Sequence, residues 1–190
     1  MALVDGTGTA LVVIDVFSRF DFPGGAALAR HMRAIAPAIA ALRDRFDAQG
    51  ACVVHANDNF GQWHQDLDAL VMQLQDRQDT PGWLARTLAP APHHVRLLKP
   101  RHSALRGTAL PQLLHQRGIG RLVLVGMATD ACILASAIEA HMHGFRLWIP
   151  RDAVASRTPA LQQSALHLLR HGLQAATISS SRVGRLFPAR

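Results

Sequence analysis

The chain has 190 residues, 49% of them apolar and only 17% charged, with a formal net charge of +7. That composition excludes an extended disordered chain and suits one domain, which at this length hides roughly 70% of its unfolded surface. The excess of cations raises nucleic acid or an anionic membrane as partner, but neither is expected: the arginines are scattered apart from SRVGRLFPAR at 181–190, tyrosine is absent, and no basic run is interleaved with aromatics.

In chain order, ALVVID (10–15) is the first strand. A helix follows from about Gly25 to Gln49, with Leu28, Ile35, Ile39, Leu42 and Phe46 as its apolar stripe, Gly50 as its stop and Pro37 expected to kink or divide it. Strand ACVVHA (51–56) precedes a helix at DLDALVMQLQD (66–76), then a connection marked by Pro81, Pro90 and Pro92. Strand VRLLK (95–99) leads to a helix from Leu110 to Gln116 that stops at Gly118. Strand RLVLVG (121–126) leads to helix DACILASAIEAHMH (130–143), ending at Gly144. FRLWIP (145–150), helix PALQQSALHLLRH (159–171) and AATIS (175–179) complete the series.

The strand candidates are continuous apolar runs rather than alternating ones, as expected when helices cover both faces of a parallel sheet. The pattern is that of a doubly wound α/β domain, whose ligands bind beyond the carboxyl ends of the strands. Two cysteines provide no disulfide framework and fit a reducing compartment. MALVDGTGTALVVID lacks the pattern of a secretory signal and no apolar run reaches the roughly 18 residues of a membrane span, so a cytoplasmic location is expected.

Three residues sit where strands end. Asp15 closes the first strand and Lys99 the third; Cys132 follows the fourth, inside the start of a helix that Thr129 or Asp130 can cap. A thiol in such a first turn faces unpaired N–H groups and the positive end of the helix dipole, which favour thiolate. Lys99 is the only lysine among the 20 Lys+Arg residues, and a lysine, unlike an arginine, can be tuned to exchange protons. Each has a duller reading: Asp15 as a loop cap, Lys99 as a surface charge, Cys132 as a buried filler. Cys52, inside a strand, is read as core.

Asp15, Lys99 and the segment GMATDAC (126–132) together resemble the isochorismatase-like cysteine hydrolases, the group of nicotinamidases and N-carbamoyl amide hydrolases. The resemblance covers nearly the whole chain, including DFPGG (21–25), HANDNFGQW (55–63), KPRHSAL (99–105) and IPRDAVAS (149–156). It implies a three-layer domain around a six-stranded parallel sheet in order 3-2-1-4-5-6. It also implies an Asp15, Lys99, Cys132 catalytic triad, a cis peptide between Met127 and Ala128, and an oxyanion hole formed by the backbone N–H groups of Ala128 and Cys132. In the reaction so implied, Asp15 takes the thiol proton and the sulfur attacks a carbonyl of a small amide or carbamoyl compound. The amine leaves with the proton, and water cleaves the thioester with Asp15 again as base.

The chain departs from the family at several points. Phe17 stands where many relatives have glutamine, and Asp58 is followed by Phe60 where zinc-containing nicotinamidases have an Asp-x-His pair. With His55, His64 and the other histidines at no convincing ligand spacing, neither a metal nor any other cofactor is expected. Phe20, Asn59 and Trp63, in loops after strands one and two, are candidate walls of a substrate pocket, with loop packing as their alternative role. The expected partners are a small-molecule substrate and, by resemblance, further copies of the chain in a homo-oligomer, dimer or tetramer. Alternative functions are vinyl-ether hydrolysis of the isochorismatase type, which does not need the cysteine, and a catalytically silent binding protein. His102, after the third strand, is an alternative partner for the thiol.

Overall fold

The computed structural model describes residues 8–185. Strands β1 (Gly8–Ile14), β2 (Cys52–Asp58), β3 (Val95–Lys99), β4 (Ile119–Met127) and β5 (Arg146–Trp148) form a parallel sheet in the order β3-β2-β1-β4-β5. A two-residue β6 (Val154–Ala155) adds to β4 beyond the end of β5, opposite Gly126 and Met127. The pleat splits β1 between two cores: Leu11 and Val13 pack with helices α1 (Gly25–Ala48), α2 (Leu67–Gln75) and α3 (Thr80–Thr87). Ala10, Val12 and Ile14 pack with α4 (Leu110–Gln116), α5 (Leu134–Met142) and α6 (Pro159–Gly172). Helices thus cover both faces, and the expected three-layer α/β architecture is present.

The sixth strand differs from expectation. Residues 175–179 do not form a strand; a single bridge joins Ala176 to Trp148, with Ile149 N–H donating to Ala176 O (2.8 Å) and Ala176 N–H to Leu147 O (3.0 Å). The chain is then drawn off the sheet: Ile178 O accepts from the Trp148 indole (3.0 Å), and the Asp152 carboxylate binds Ser179 and Ser180. Those side-chain partners, the Trp148 donor and the Asp152 acceptor, compete with the ladder for the segment's hydrogen bonds. The C-terminal basic cluster is only partly described: Arg182 is exposed, and Arg190 lies outside the described residues.

Pro37 does not divide α1, which runs unbroken for 24 residues. The ring is on the solvent side, while Leu28, Met32, Ala36, Ile39, Leu42 and Phe46 are buried on the sheet. A mid-helix proline costs ~3 kcal/mol, whereas each large apolar side chain buried returns ~1.5–3 kcal/mol, so the packed face outweighs the lost bond. Between α2 and β3 the sequence suggested only a connection, but Asp79 caps α3 by accepting from Gly82 N–H (3.2 Å), and Pro81 fits its first turn. Among the described residues, no helix is long and apolar enough to cross a membrane.

Strand β3 lies at the sheet edge, and only its last residue, Lys99, is buried. Its register on β2 places Lys99 opposite Asp58. The ends of β1, β2, β3 and β4 therefore converge on one rim.

Candidate active site

Asp15 directly follows β1 with a left-handed backbone (φ 54°), its N–H still in the sheet ladder on Ala56 O (3.0 Å). Both carboxylate oxygens are engaged. Asp58 N–H donates to Oδ1 (2.7 Å), and the Lys99 ammonium lies 2.8 Å from Oδ2. Lys99, fully buried, points its ammonium at three acceptors: Asp15 Oδ2, Arg101 O (3.0 Å) and Cys132 Sγ (3.6 Å). An ammonium has three protons, so this set satisfies it. Asp58 Oδ2 is a more distant countercharge at 3.8 Å.

Cys132 is reached through a sharp exit from β4. Gly126 has φ +113°, and a Cβ there would lie 2.1 Å from Ile14 O, so this position requires glycine. The Met127–Ala128 peptide that follows is cis. The next five residues, Thr129–Ile133, form a π-helical turn before α5 begins. Neither Thr129 nor Asp130 caps it, contrary to the sequence reading: Ala128 is the cap residue, and the Thr129 hydroxyl donates instead to Gln162 Oε1 on α6 (2.7 Å). Gln162 Nε2 in turn donates to Val154 O (3.0 Å), tying the turn to β6.

The electrostatics also differ from the helix-dipole expectation. Burial, reinforced by the adjacent Asp15 carboxylate, pushes the Cys132 thiol up to about 12, against the pull of Lys99. Burial likewise raises Asp15, opposed by the Lys99 charge and by hydrogen bonds from Cys132 and Lys99. Burial works to lower Lys99, but the negative charges of Asp15, Cys132 and Asp58 prevail and it is raised. At neutral pH the proton therefore rests on sulfur, hydrogen-bonded to Asp15, beside a permanent ammonium. The arrangement places a protonated thiol in contact with a carboxylate, a pair whose chemistry can supply a nucleophile and a base.

A cavity of about 260 Å³ opens on Asp15 and Cys132, lined also by Met127 and Ala128, with Phe22 and Leu28 as apolar wall and Asp58, His102, Asp130 and Arg157 as polar lining. Of the expected pocket walls, none lines this cavity. Phe20, whose left-handed backbone (φ 58°) turns the chain, is buried in the core beside α1, and Phe22 takes the place at the wall. Asn59 braces its own loop, accepting from Gly61 N–H (3.0 Å). Trp63 is 74% exposed and borders, with Asn59, an adjoining cavity of about 600 Å³ that shares Asp58, Phe60 and His102 with the first. Asp58, weighed in the sequence only as a metal ligand, orients Asp15 through its backbone; the β1–β2 register was the missing signal. His102 Nδ1 lies 3.6 Å from Cys132 Sγ, as near as the Lys99 ammonium.

Among the described residues, His102 is the one histidine lining this cavity. His55 is buried in a stack between Phe17 (5.9 Å) and His94 (5.3 Å). Asp47, His93 and His94 cluster before β3, at the opposite end of that strand from Lys99. There His94 Nδ1 accepts from Ala91 N–H (3.0 Å), which fixes its proton on Nε2, aimed at Asp47 Oδ1 (2.8 Å). That nitrogen is a donor to the carboxylate and presents no lone pair to a metal.

Residues 9–182 match the family model described as Isochorismatase domain. Among similar proteins, the maleamate amidohydrolase of Pseudomonas putida is 32% identical over 160 residues, covering 80% of this chain and 74% of its own. YaaI of Bacillus subtilis, an uncharacterised isochorismatase family protein, is 26% identical over 174 residues, 92% of this chain and 95% of its own. The crystal structure of nicotinamidase from Bacillus subtilis superposes with a TM-score of 0.70 at 30% identity, covering 90% of this chain and 99% of that one.

Proposed function

The chain belongs to the isochorismatase family, and we propose that it hydrolyses the carbon–nitrogen bond of a small amide or carbamoyl compound through a thioester on Cys132. The observation that carries this reading is the single buried ammonium of Lys99, 2.8 Å from Asp15 Oδ2 and 3.6 Å from Cys132 Sγ, behind a carboxylate and a thiol that line one cavity. Asp15 is the base, Cys132 the nucleophile, and Lys99 the charge that steadies both. Three similar proteins, named for maleamate, ureidoacrylate and N-carbamoylsarcosine, support the amide class.

Attack forms the C–Sγ bond as the Sγ proton passes to Asp15. Because the thiol is held near 12, little free thiolate exists beforehand, and proton transfer accompanies attack. The oxyanion is received by the backbone N–H groups of Ala128 and Cys132, each such donor being worth about 3 kcal/mol. Collapse breaks the C–N bond, and Asp15 returns the proton to the departing nitrogen. Water then cleaves the thioester. Arg157, the one arginine among the described residues lining the cavity, is the cation available to a carboxylate on the substrate. We infer a homo-oligomer from the family resemblance alone, which sedimentation of the purified chain tests.

The test is ammonia release from maleamate, ureidoacrylate, N-carbamoylsarcosine and nicotinamide, with intact-mass detection of an acyl group on Cys132. Turnover that survives Cys132→Ala, or no turnover of any primary amide or carbamoyl compound, removes the reading.

A further inference from the structure

Thioester cleavage needs a base in reach of the incoming water, and Asp15, although free of the proton again once the amine has left, is less open to water than its neighbour His102. The Asp15 oxygens are held by Asp58 N–H and the Lys99 ammonium, and the group is buried. His102, in contrast, is exposed, lines the same cavity, and holds Nδ1 3.6 Å from Sγ.

The loop carrying His102 is anchored on both sides of the site. Before it, Arg101 O accepts from the Lys99 ammonium (3.0 Å). After it, Ser103 Oγ accepts from Leu105 N–H (3.1 Å) and Arg106 N–H (3.2 Å), and Ala104 N–H donates to Ser136 Oγ (2.9 Å). Ser136 Oγ itself donates to Cys132 O (2.6 Å). The backbone that carries the imidazole is therefore anchored to both the lysine and the turn that holds Cys132. Exposed histidines on unanchored loops have no such pre-organisation.

We propose that His102 is the base and acid of deacylation, a catalytic residue additional to Asp15, Lys99 and Cys132; this rests on the thioester reading above. Water enters between the acyl carbon and Nδ1, within the one-water reach of a general base. Its oxygen bonds the acyl carbon as one proton passes to Nδ1. The tetrahedral intermediate then breaks its C–Sγ bond, the electron pair stays on sulfur beside the Lys99 ammonium, and Nδ1 returns the proton to Sγ. The acid departs and the thiol is restored, so atoms and charge balance with water as the sole co-reactant.

The experiment uses p-nitrophenyl acetate as acyl donor, with Cys132→Ala as background. Wild-type enzyme should give a burst of p-nitrophenolate, one per site, followed by a steady rate set by deacylation. His102→Gln and His102→Ala should keep the burst and its amplitude while the steady rate falls about 100-fold or more. Acetyl-Cys132 should persist correspondingly longer by intact mass after gel filtration. Loss of acetyl-Cys132 at the wild-type rate in both variants, or an equal fall of burst and steady rate, overturns the role of His102. p-Nitrophenolate release by the wild type no faster than by Cys132→Ala, with no acetyl-Cys132 in the wild type or either His102 variant, instead overturns the nucleophile itself.

Discussion

Lys99 Nζ lies 2.8 Å from Asp15 Oδ2 although strand β2 separates the two strands that carry them. Two strand spacings are about 9.6 Å, so a shorter cation could not bridge from β3 to β1. Length alone would permit arginine, the cation used everywhere else in the chain. Burial does not: the site accommodates one ammonium with three acceptors, and a planar fork brings extra atoms into a fully buried position.

Lys99→Arg should therefore lower kcat/KM by about 100-fold or more, as misplacing a reacting group by about 1 Å does, with an overpacking cost of roughly 1–3 kcal/mol. Lys99→Met, which leaves the Asp15 carboxylate buried without its countercharge, should cost ~3–5 kcal/mol. Urea melts and ammonia release on the same preparations separate the two effects. Near-normal turnover by the arginine variant would show that the choice of cation is immaterial.

Asp15→Asn should abolish turnover and at the same time make the sulfur more acidic. The carboxylate is one of the forces holding Cys132 near 12, and Lys99 pulls the other way, so its removal shifts the balance toward thiolate. Titration followed by the ultraviolet absorbance of thiolate should show the variant ionising at lower pH than the wild type. An unchanged or higher titration midpoint would contradict the assigned electrostatics.

Arg157→Ala should raise KM for a carboxylate-bearing amide by about 10- to 100-fold, the worth of a charge-assisted hydrogen bond of ~1.5–3 kcal/mol. For a neutral amide such as nicotinamide KM should change little. Equal effects on both would mean that Arg157 shapes the loop rather than reads charge.

His55 gives a stability prediction away from the rim. Burial, with the positive charges nearby as a lesser cause, lowers it to about 3, so it stays neutral in the folded core. Between about pH 6.5 and pH 3 the unfolded chain takes up a proton that the folded chain refuses, and stability falls as pH falls, by at most ~1.4 kcal/mol per unit. His55→Phe keeps a ring in the stack with Phe17 and His94 and removes this titration. Denaturant midpoints at neutral pH and near pH 4 should differ less in the variant than in the wild type.

The strand ends were legible because their chemistry stood out from continuous apolar runs: LVVID, RLLK and GMATDAC each break hydrophobicity with a group that strand packing does not ask for. The segment 175–179 read as a strand on the same criterion and failed because Trp148 and Asp152, distant in sequence, capture it. Helix α3 was obscured by prolines, although Asp79 followed by Pro81 is itself a helix-start signal. The π-helical turn has no local signature in TDACI, and the thiol's elevation comes from burial, which the helix-dipole argument omitted. Which of Phe20 and Phe22 faces the cavity depended on one left-handed residue, beyond the reach of a pattern in sequence.

Edge strand β3 has one further consequence. Its first four residues are only half-buried, so sliding it by one position along β2 would forfeit little apolar contact and would turn every side chain to the opposite face. The sole buried anchor in the strand is Lys99, whose ammonium is fixed by partners on β1, on the turn after β4 and on its own loop. On the proposed reaction, catalysis and alignment are thus one requirement here: the lysine that charges the site is also the pin that indexes the margin of the sheet, and a chain that lost it would lose its bearings at that edge as well as the proposed chemistry.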